Sequence, residues 1–299
     1  MTPAAISWQR AAVRQRLSDY VALGKPRVVL MVLVTTLVGY YLGSRGATLP
    51  LPLLHTLVGT ALAAAGTLAL NQYMERDLDA RMLRTRHRPL PDGRVRPIEA
   101  LVLGAATMLA GLAYLGLLVN GATALVTVAI AVTYLLVYTP LKRVSSLCSV
   151  VGAVPGALPP VAGWAAAQGT LTPDAWVLFT IMFLWQIPHS LAIARMYRDD
   201  YARAGIKVLP VVDPDGASTG THVVTNSLAL LPVALLPTLT GLAGATYFWA
   251  ALVLGVGLLW SAVGMAWRRR ACDARRLMLA SLVYLPVLLG AMALDKVAG

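Results

Sequence analysis

The stretch LNQYMERDLDARMLRTRHRPLPDGRVRP, Leu70 to Pro97, lies between two long apolar segments and gathers four acidic residues and seven arginines into one connection. Its first residues continue the apolar run before it, so a helix built on that run carries its last turns into the charged region. On such a helix Asn71, Glu75 and Asp79 fall at i, i+4 and i+8, one face presenting an amide and two carboxylates, while Asp77 points elsewhere. A helix that is apolar for most of its length and ends in a charged column reads as a membrane span surfacing at a polar interface.

The rest of the chain agrees. Of 299 residues, 58% are hydrophobic and only 13% charged, which points to a polytopic membrane protein rather than to soluble domains. Runs able to cross about 30 Å of hydrocarbon as helices fall at 28–44, 53–70, 98–118, 121–139, 149–167, 175–194, 222–241, 246–266 and 277–294. Helices satisfy their own backbone in lipid, and no alternating pattern supports a barrel. The expected fold is all-α, with about nine transmembrane helices around a central cavity. It divides into an amino-terminal segment (1–27), a membrane domain (28–294) and a short tail (295–299). Prolines inside the spans, Pro155, Pro159, Pro160, Pro188, Pro232, Pro237 and Pro286, predict local kinks.

Lys and Arg set the orientation. They cluster before span one and after spans two, four, six and eight, whereas the opposite connections hold only Arg45, with Lys296 in the tail. The positive-inside rule therefore puts the amino terminus and the charged loops in the cytoplasm of a cell whose inner membrane holds the protein, and the carboxyl terminus outside. The net charge of +12 then has a topological origin and calls for no nucleic acid. Charges persist to Arg27 and no small-residue cleavage site follows, so no cleavable signal is expected. Cys148 and Cys272 are too few for a disulfide framework or a cysteine metal site.

Hard oxygen donors such as Asn71, Glu75 and Asp79 suit Mg²⁺, which keeps water and phosphate oxygens in its shell. Arg81, Arg84, Arg86 and Arg88 follow, and guanidinium groups give multi-donor recognition of phosphate. The plainer reading is a set of interfacial charges pairing among themselves. A second cluster on the same side weighs against it: His189, Arg195, Arg198, Asp199, Asp200, Tyr201 and Lys207 close span six. The tripeptide PDG recurs in both loops, at 91–93 and 214–216, a weak echo of repeated halves or a coincidence.

The Asn71, Glu75, Asp79 column resembles the N-x-x-x-D-x-x-x-D signature of the UbiA family of intramembrane prenyltransferases, and YTPLKR (138–143) resembles its Y-x-x-x-K element. GALPPVAGW (156–164), WQIPHSLAIA (185–194) and DYARAGIKVLPVV (200–212) extend the resemblance across most of the core, toward members that act on haem. Glu75 stands where the signature has Asp, which keeps a carboxylate and changes its reach.

The resemblance implies transfer of a farnesyl group from farnesyl diphosphate to a vinyl carbon of haem b, with water added and Mg²⁺ as cofactor. It implies catalytic roles for Asn71, Asp79, Lys142, His189 and Asp200, and metal binding by Asn71, Glu75, Asp79 and Asp200. Substrate contacts are expected from Arg84, Arg88, Tyr138, Arg143 and Tyr201, while Arg81 and Arg86, and Arg143 as an alternative, read as topology charges. Tyr138 either orients Lys142, faces a cationic carbon with its ring, or anchors at the interface. Trp164 and Trp185 either line the cavity or belong to an interfacial belt. His189 either ligates haem iron, orients a propionate or moves a proton, or simply bonds a carbonyl freed by Pro188. A quinone precursor as acceptor, or a transporter with intramembrane charge, are the competing readings. The sequence names no downstream haem-modifying partner.

Overall fold

A computed structural model describes residues 3–46 and 49–297. Helix α1 (Pro3–Leu23) leads into α2 (Pro26–Gly43), α3 (Pro50–Asp79) and α4 (Pro97–Leu118). Then α5 (Gly121–Val132) passes through a π-helical turn, Thr133–Tyr138, into α6 (Thr139–Leu141). The next span is assembled from α7 (Cys148–Val151), α8 (Ala153–Ala157) and α9 (Pro159–Gln168). After α10 (Pro173–Met196) come two short helices, α11 (Arg198–Arg203) and α12 (Leu209–Val212), then α13 (Ala217–Leu239), α14 (Ala245–Arg268) and α15 (Ala271–Leu294). Among the described residues nine helical stretches are long and apolar enough to cross a membrane.

The number of spans agrees with the hydropathy reading, and the ends shift. The second span runs to Asp79, the last begins at Ala271 rather than 277, and the seventh at Ala217 rather than 222. Polar turns hidden from an apolar window continue as helix because no breaker interrupts them. Proline sits in the first turn of α2, α3, α4, α9 and α10, where its missing N–H costs nothing. The clustered prolines at 155, 159 and 160 divide the fifth span into pieces rather than merely kinking it.

Small residues bring the helices together, as lipid offers little hydrophobic drive between them. A Cβ on Gly66 or Gly111 would run into the backbone at Met108 and Ala63, so α3 and α4 touch along Gly66, Ala63 and Gly111. Gly39 and Gly163 do the same for α2 against α9. Beyond the far end of the bundle, Lys296 donates to the carbonyls of Tyr41 at 2.7 Å and Ser44 at 2.6 Å, tying the tail to α2. Trp164 and Trp185 are buried in the core, which rules out the interfacial belt for both.

Candidate active site

The predicted column exists. Asn71, Glu75 and Asp79 are all buried on α3, while Asp77 is exposed, as the helical register requires. Each member of the column is held by a different cation. Lys25 Nζ donates to Asn71 Oδ1 at 2.9 Å, Lys142 forms an ion pair with Glu75, and Arg88 Nη1 meets Asp79 Oδ2 at 2.7 Å. Three oxygen donors and three cations thus alternate in one buried network that joins α2, α3, α6 and the loop after α3.

Lys25 is the residue that sequence reasoning placed among topology charges. It sits at the elbow between α1 and α2 with φ of 49°, a left-handed conformation costly for a side chain with a Cβ. Gln72, next to Asn71, holds that elbow by donating to the carbonyls of Ala22 at 3.0 Å and Leu23 at 2.7 Å. Two ion pairs strap α1 down: Arg94 with Asp19 at 3.1 Å and Arg16 with Glu99 at 2.9 Å. Burial, and then the nearby Arg88 charge, depress the Lys25 pKa to about 8. The available signal was a lone lysine before Pro26 at a helix start, which nothing local distinguishes from an anchor.

The π-helical turn brings the next group. Thr139 Oγ1 donates to the Tyr134 carbonyl at 2.8 Å and accepts from Asn71 Nδ2 at 3.1 Å, so α3 and the turn are fixed to each other. Lys142 Nζ lies over the Tyr138 ring, 4.3 Å from its centroid, which favours the orienting role for Tyr138. Burial alone would lower the Lys142 pKa, but Tyr138 and the Glu75 carboxylate outweigh it and hold the ammonium above its ordinary range.

Asp200 binds the same region differently from the expected metal contact. Its carboxylate accepts from the amides of Leu83 at 3.2 Å and Arg84 at 3.4 Å and pairs with Arg203, so it tethers the loop after α3 to α11. Burial would raise its pKa; the Arg203 and amide hydrogen bonds outweigh that and keep the carboxyl below its usual value. Arg84 stacks over Tyr197 at 5.0 Å and Tyr201 at 5.8 Å and donates to the Tyr201 hydroxyl at 3.3 Å. Arg143 turns away and caps the Met74 carbonyl at 3.2 Å. Asp199 is exposed.

His189 stands apart from this network, on α10 against α15. Its Nδ1 is 2.7 Å from Ser281 Oγ, its ring stacks on Trp185 at 4.8 Å, and Trp185 Nε1 donates to the Ser281 carbonyl at 2.9 Å. Ser281 spends its only proton on the Met278 carbonyl at 2.7 Å, so the imidazole donates from Nδ1 and keeps its Nε2 lone pair. The reading in which His189 bonds a proline-freed carbonyl is not what forms.

Among the described residues no three His, Cys, Asp or Glu side chains gather closely enough to hold a metal ion. The donor types nevertheless suit Mg²⁺: Asn71 and Asp79 stand about 12 Å apart along the helix, so an ion would take one or two oxygens from neighbouring members of the column and fill the rest of an octahedral shell with water and phosphate.

A bundle of membrane-spanning helices with a buried column of oxygen donors and cations at one end defines an integral membrane protein whose polar chemistry is gathered at one interface. Residues 32–285 match the model of the UbiA prenyltransferase family, and the chain belongs to that family. It is 47% identical to a protoheme IX farnesyltransferase of Solibacter usitatus over 93% of this chain and 98% of that one. A protoheme IX farnesyltransferase of Koribacter versatilis is 44% identical, with 96% of each chain covered. Among solved structures, a digeranylgeranylglyceryl phosphate synthase superposes with a TM-score of 0.80 at 15% identity, covering 94% of this chain and 98% of that one. A UbiA homolog from Archaeoglobus fulgidus bound to GPP and Mg²⁺ gives 0.66 at 17% identity, covering 92% and 99%. At that identity these structures speak for the fold.

Proposed function

We propose that this chain transfers the farnesyl group of farnesyl diphosphate to a vinyl group of haem b, adds water, and releases diphosphate. The observation that carries the reading is the network in which Asn71, Glu75 and Asp79 are each held by Lys25, Lys142 or Arg88. Full-length similarity to protoheme IX farnesyltransferases supports haem as the acceptor.

A vinyl carbon is a weak nucleophile, so catalysis falls on departure of the leaving group. Lys25, Arg88 and Lys142, with Arg84 nearby, receive diphosphate oxygens, and the three column residues are thereby freed as metal donors. Mg²⁺, when bound by neighbouring members of the Asn71, Glu75 and Asp79 column, supplies further positive charge to the leaving group. The C1–O bond breaks with its electron pair leaving on diphosphate, which the cations stabilise as charge develops. C1 bonds to the terminal vinyl carbon, the positive charge moves to the carbon attached to the porphyrin, water adds there, and a proton is lost. The free Nε2 of His189 is suited to accept that proton or to ligate the haem iron; orienting a propionate would need a second N–H that this tautomer lacks. Asp200 and Tyr201 act by holding the loop and Arg84 in place. The protein resides in the inner membrane with its amino terminus and this site on the cytoplasmic side.

The test is mass analysis of haem after the purified protein, in vesicles, is incubated with farnesyl diphosphate, Mg²⁺ and haem b. A haem heavier by one farnesyl group and one hydroxyl group is expected, and chelation of divalent metal should abolish it. Transfer to a hydroxybenzoate with haem unchanged would overturn the acceptor. Flux of either molecule without conversion would overturn the enzyme.

A further inference from the structure

Tyr138 is not the free aromatic face in this site. Its ring edge is packed where a Cβ on Gly152 would lie 2.5 Å away, and Lys142 Nζ already occupies its π surface at 4.3 Å. The next ring is Tyr134, 5.4 Å from Tyr138 between centroids and tilted by 41°. Tyr134 belongs to the π-helical turn, whose carbonyl at 134 receives the Thr139 hydroxyl that also holds Asn71. Leu136, two residues on, is 67% exposed on the lipid side, so Tyr134 faces inward. One ring separates it from the Lys142 ammonium, which lies over Tyr138, and part of its own surface stays open. A partly open ring on the face opposite Leu136 is turned toward the bundle rather than toward lipid.

Position along the span supplies the chemistry. Lys142 marks the level of diphosphate at the end of the span, and Tyr134 lies two turns further into the bundle, on the path of the hydrocarbon chain. When the C1–O bond breaks, the positive charge spreads over C1 and C3 of the allyl unit, just below the leaving group. An aromatic face within about 6 Å stabilises such a cation, and more strongly when water is excluded.

We infer that Tyr134 is a catalytic residue of this enzyme, its ring facing the allylic cation between diphosphate departure and bond formation to the acceptor, while Tyr138 serves to position Lys142. The inference rests on the prenyl-transfer reading above. Attack of the acceptor on C1 consumes the cation, and the ring itself exchanges no proton or electron pair.

Tyr134→Phe, and phenylalanines at 134 carrying one, two or three ring fluorines, grade the π face at nearly constant shape. Single-turnover formation of farnesylated haem should fall stepwise across the series. Tyr134→Leu should lower it about tenfold or more, a size set by one cation–π contact. Binding of a farnesyl thiodiphosphate that resists cleavage should change less than about twofold throughout. A flat rate across the fluorine series, with the Phe variant active, overturns the inference, as does a Tyr134→Leu variant that turns over like the parent. A stepwise fall at 138 in place of 134 overturns it too and returns the cation to Tyr138. Failure of the unaltered protein to farnesylate haem would overturn the functional reading instead, so the two failures are separable.

Discussion

Lys25 and Glu75 carry charges whose value depends on partners far along the chain. With its pKa lowered to about 8, Lys25 is neutral at higher pH, and an arriving diphosphate must then draw a proton onto it. Because the anion prefers the protonated form, donor binding should weaken by up to tenfold per pH unit above about 8. Donor KM against pH checks this, and Lys25→Arg should erase the alkaline limb since guanidinium stays charged. Glu75→Gln does two things at once, because it removes a proposed metal donor and leaves the buried Lys142 without its counter-charge. Stranding a buried charge costs about 3–5 kcal/mol. Glu75→Gln should therefore melt well below the parent in detergent, the double variant with Lys142→Met should recover much of that loss, and neither should make product. Parental melting and turnover in Glu75→Gln would remove Glu75 from the site.

Among the elements, the π-helical turn ties its own backbone to the column through Thr139 and Asn71. An unbroken α-helix over 121–141 would leave no extra residue between Tyr134 and Thr139, and the Thr139 hydroxyl would not span five residues back to the 134 carbonyl. Thr139→Val keeps the shape and removes that hydroxyl, stranding the buried Asn71 amide at a cost of about 1–3 kcal/mol. The expected result is a lower melting temperature together with a raised donor KM, read by thermal unfolding and steady-state kinetics. An unchanged donor KM would mean that Asn71 is positioned by Lys25 alone. The loop after α3 is a second such element. Its glycine in PDG has φ of 74°, and the same tripeptide before α13 also places Gly216 at 74°, so the sequence echo marks two equivalent turns.

At the scale of the whole molecule, alternation of the spans puts the Lys25, Glu75, Lys142 and Asp200 regions at one end of the bundle and Arg45 and Lys296 at the other. Reporters joined after residues 92, 144, 206 and 271 are expected in the cytoplasm, and those near 46, 120, 170 and 243 across the membrane. Cytoplasmic signals at both 120 and 144 would contradict the order of spans. The same end-to-end segregation explains why a chain with so few charges can build a dense electrostatic site: lipid excludes charge from the spans, and successive helices return it to one surface.

The sequence by itself determined the all-α membrane fold, the number of spans and the register of Asn71, Glu75 and Asp79. Those rest on hydropathy over a span and on 100° per residue around a helix, both local properties. It also held the motif positions, but not what each side chain touches. Only the tertiary structure decided that Lys25 reaches Asn71 across 46 positions, that Lys142 meets Glu75, and that Asp200 tethers a loop. Trp164 and Trp185 likewise entered the core rather than an interface. These outcomes depend on which helix faces meet, and close approach at Gly39, Gly66, Gly111 and Gly163 sets that. No window along the chain contains both partners of such a contact, so its energy cannot be read until the bundle has closed around them.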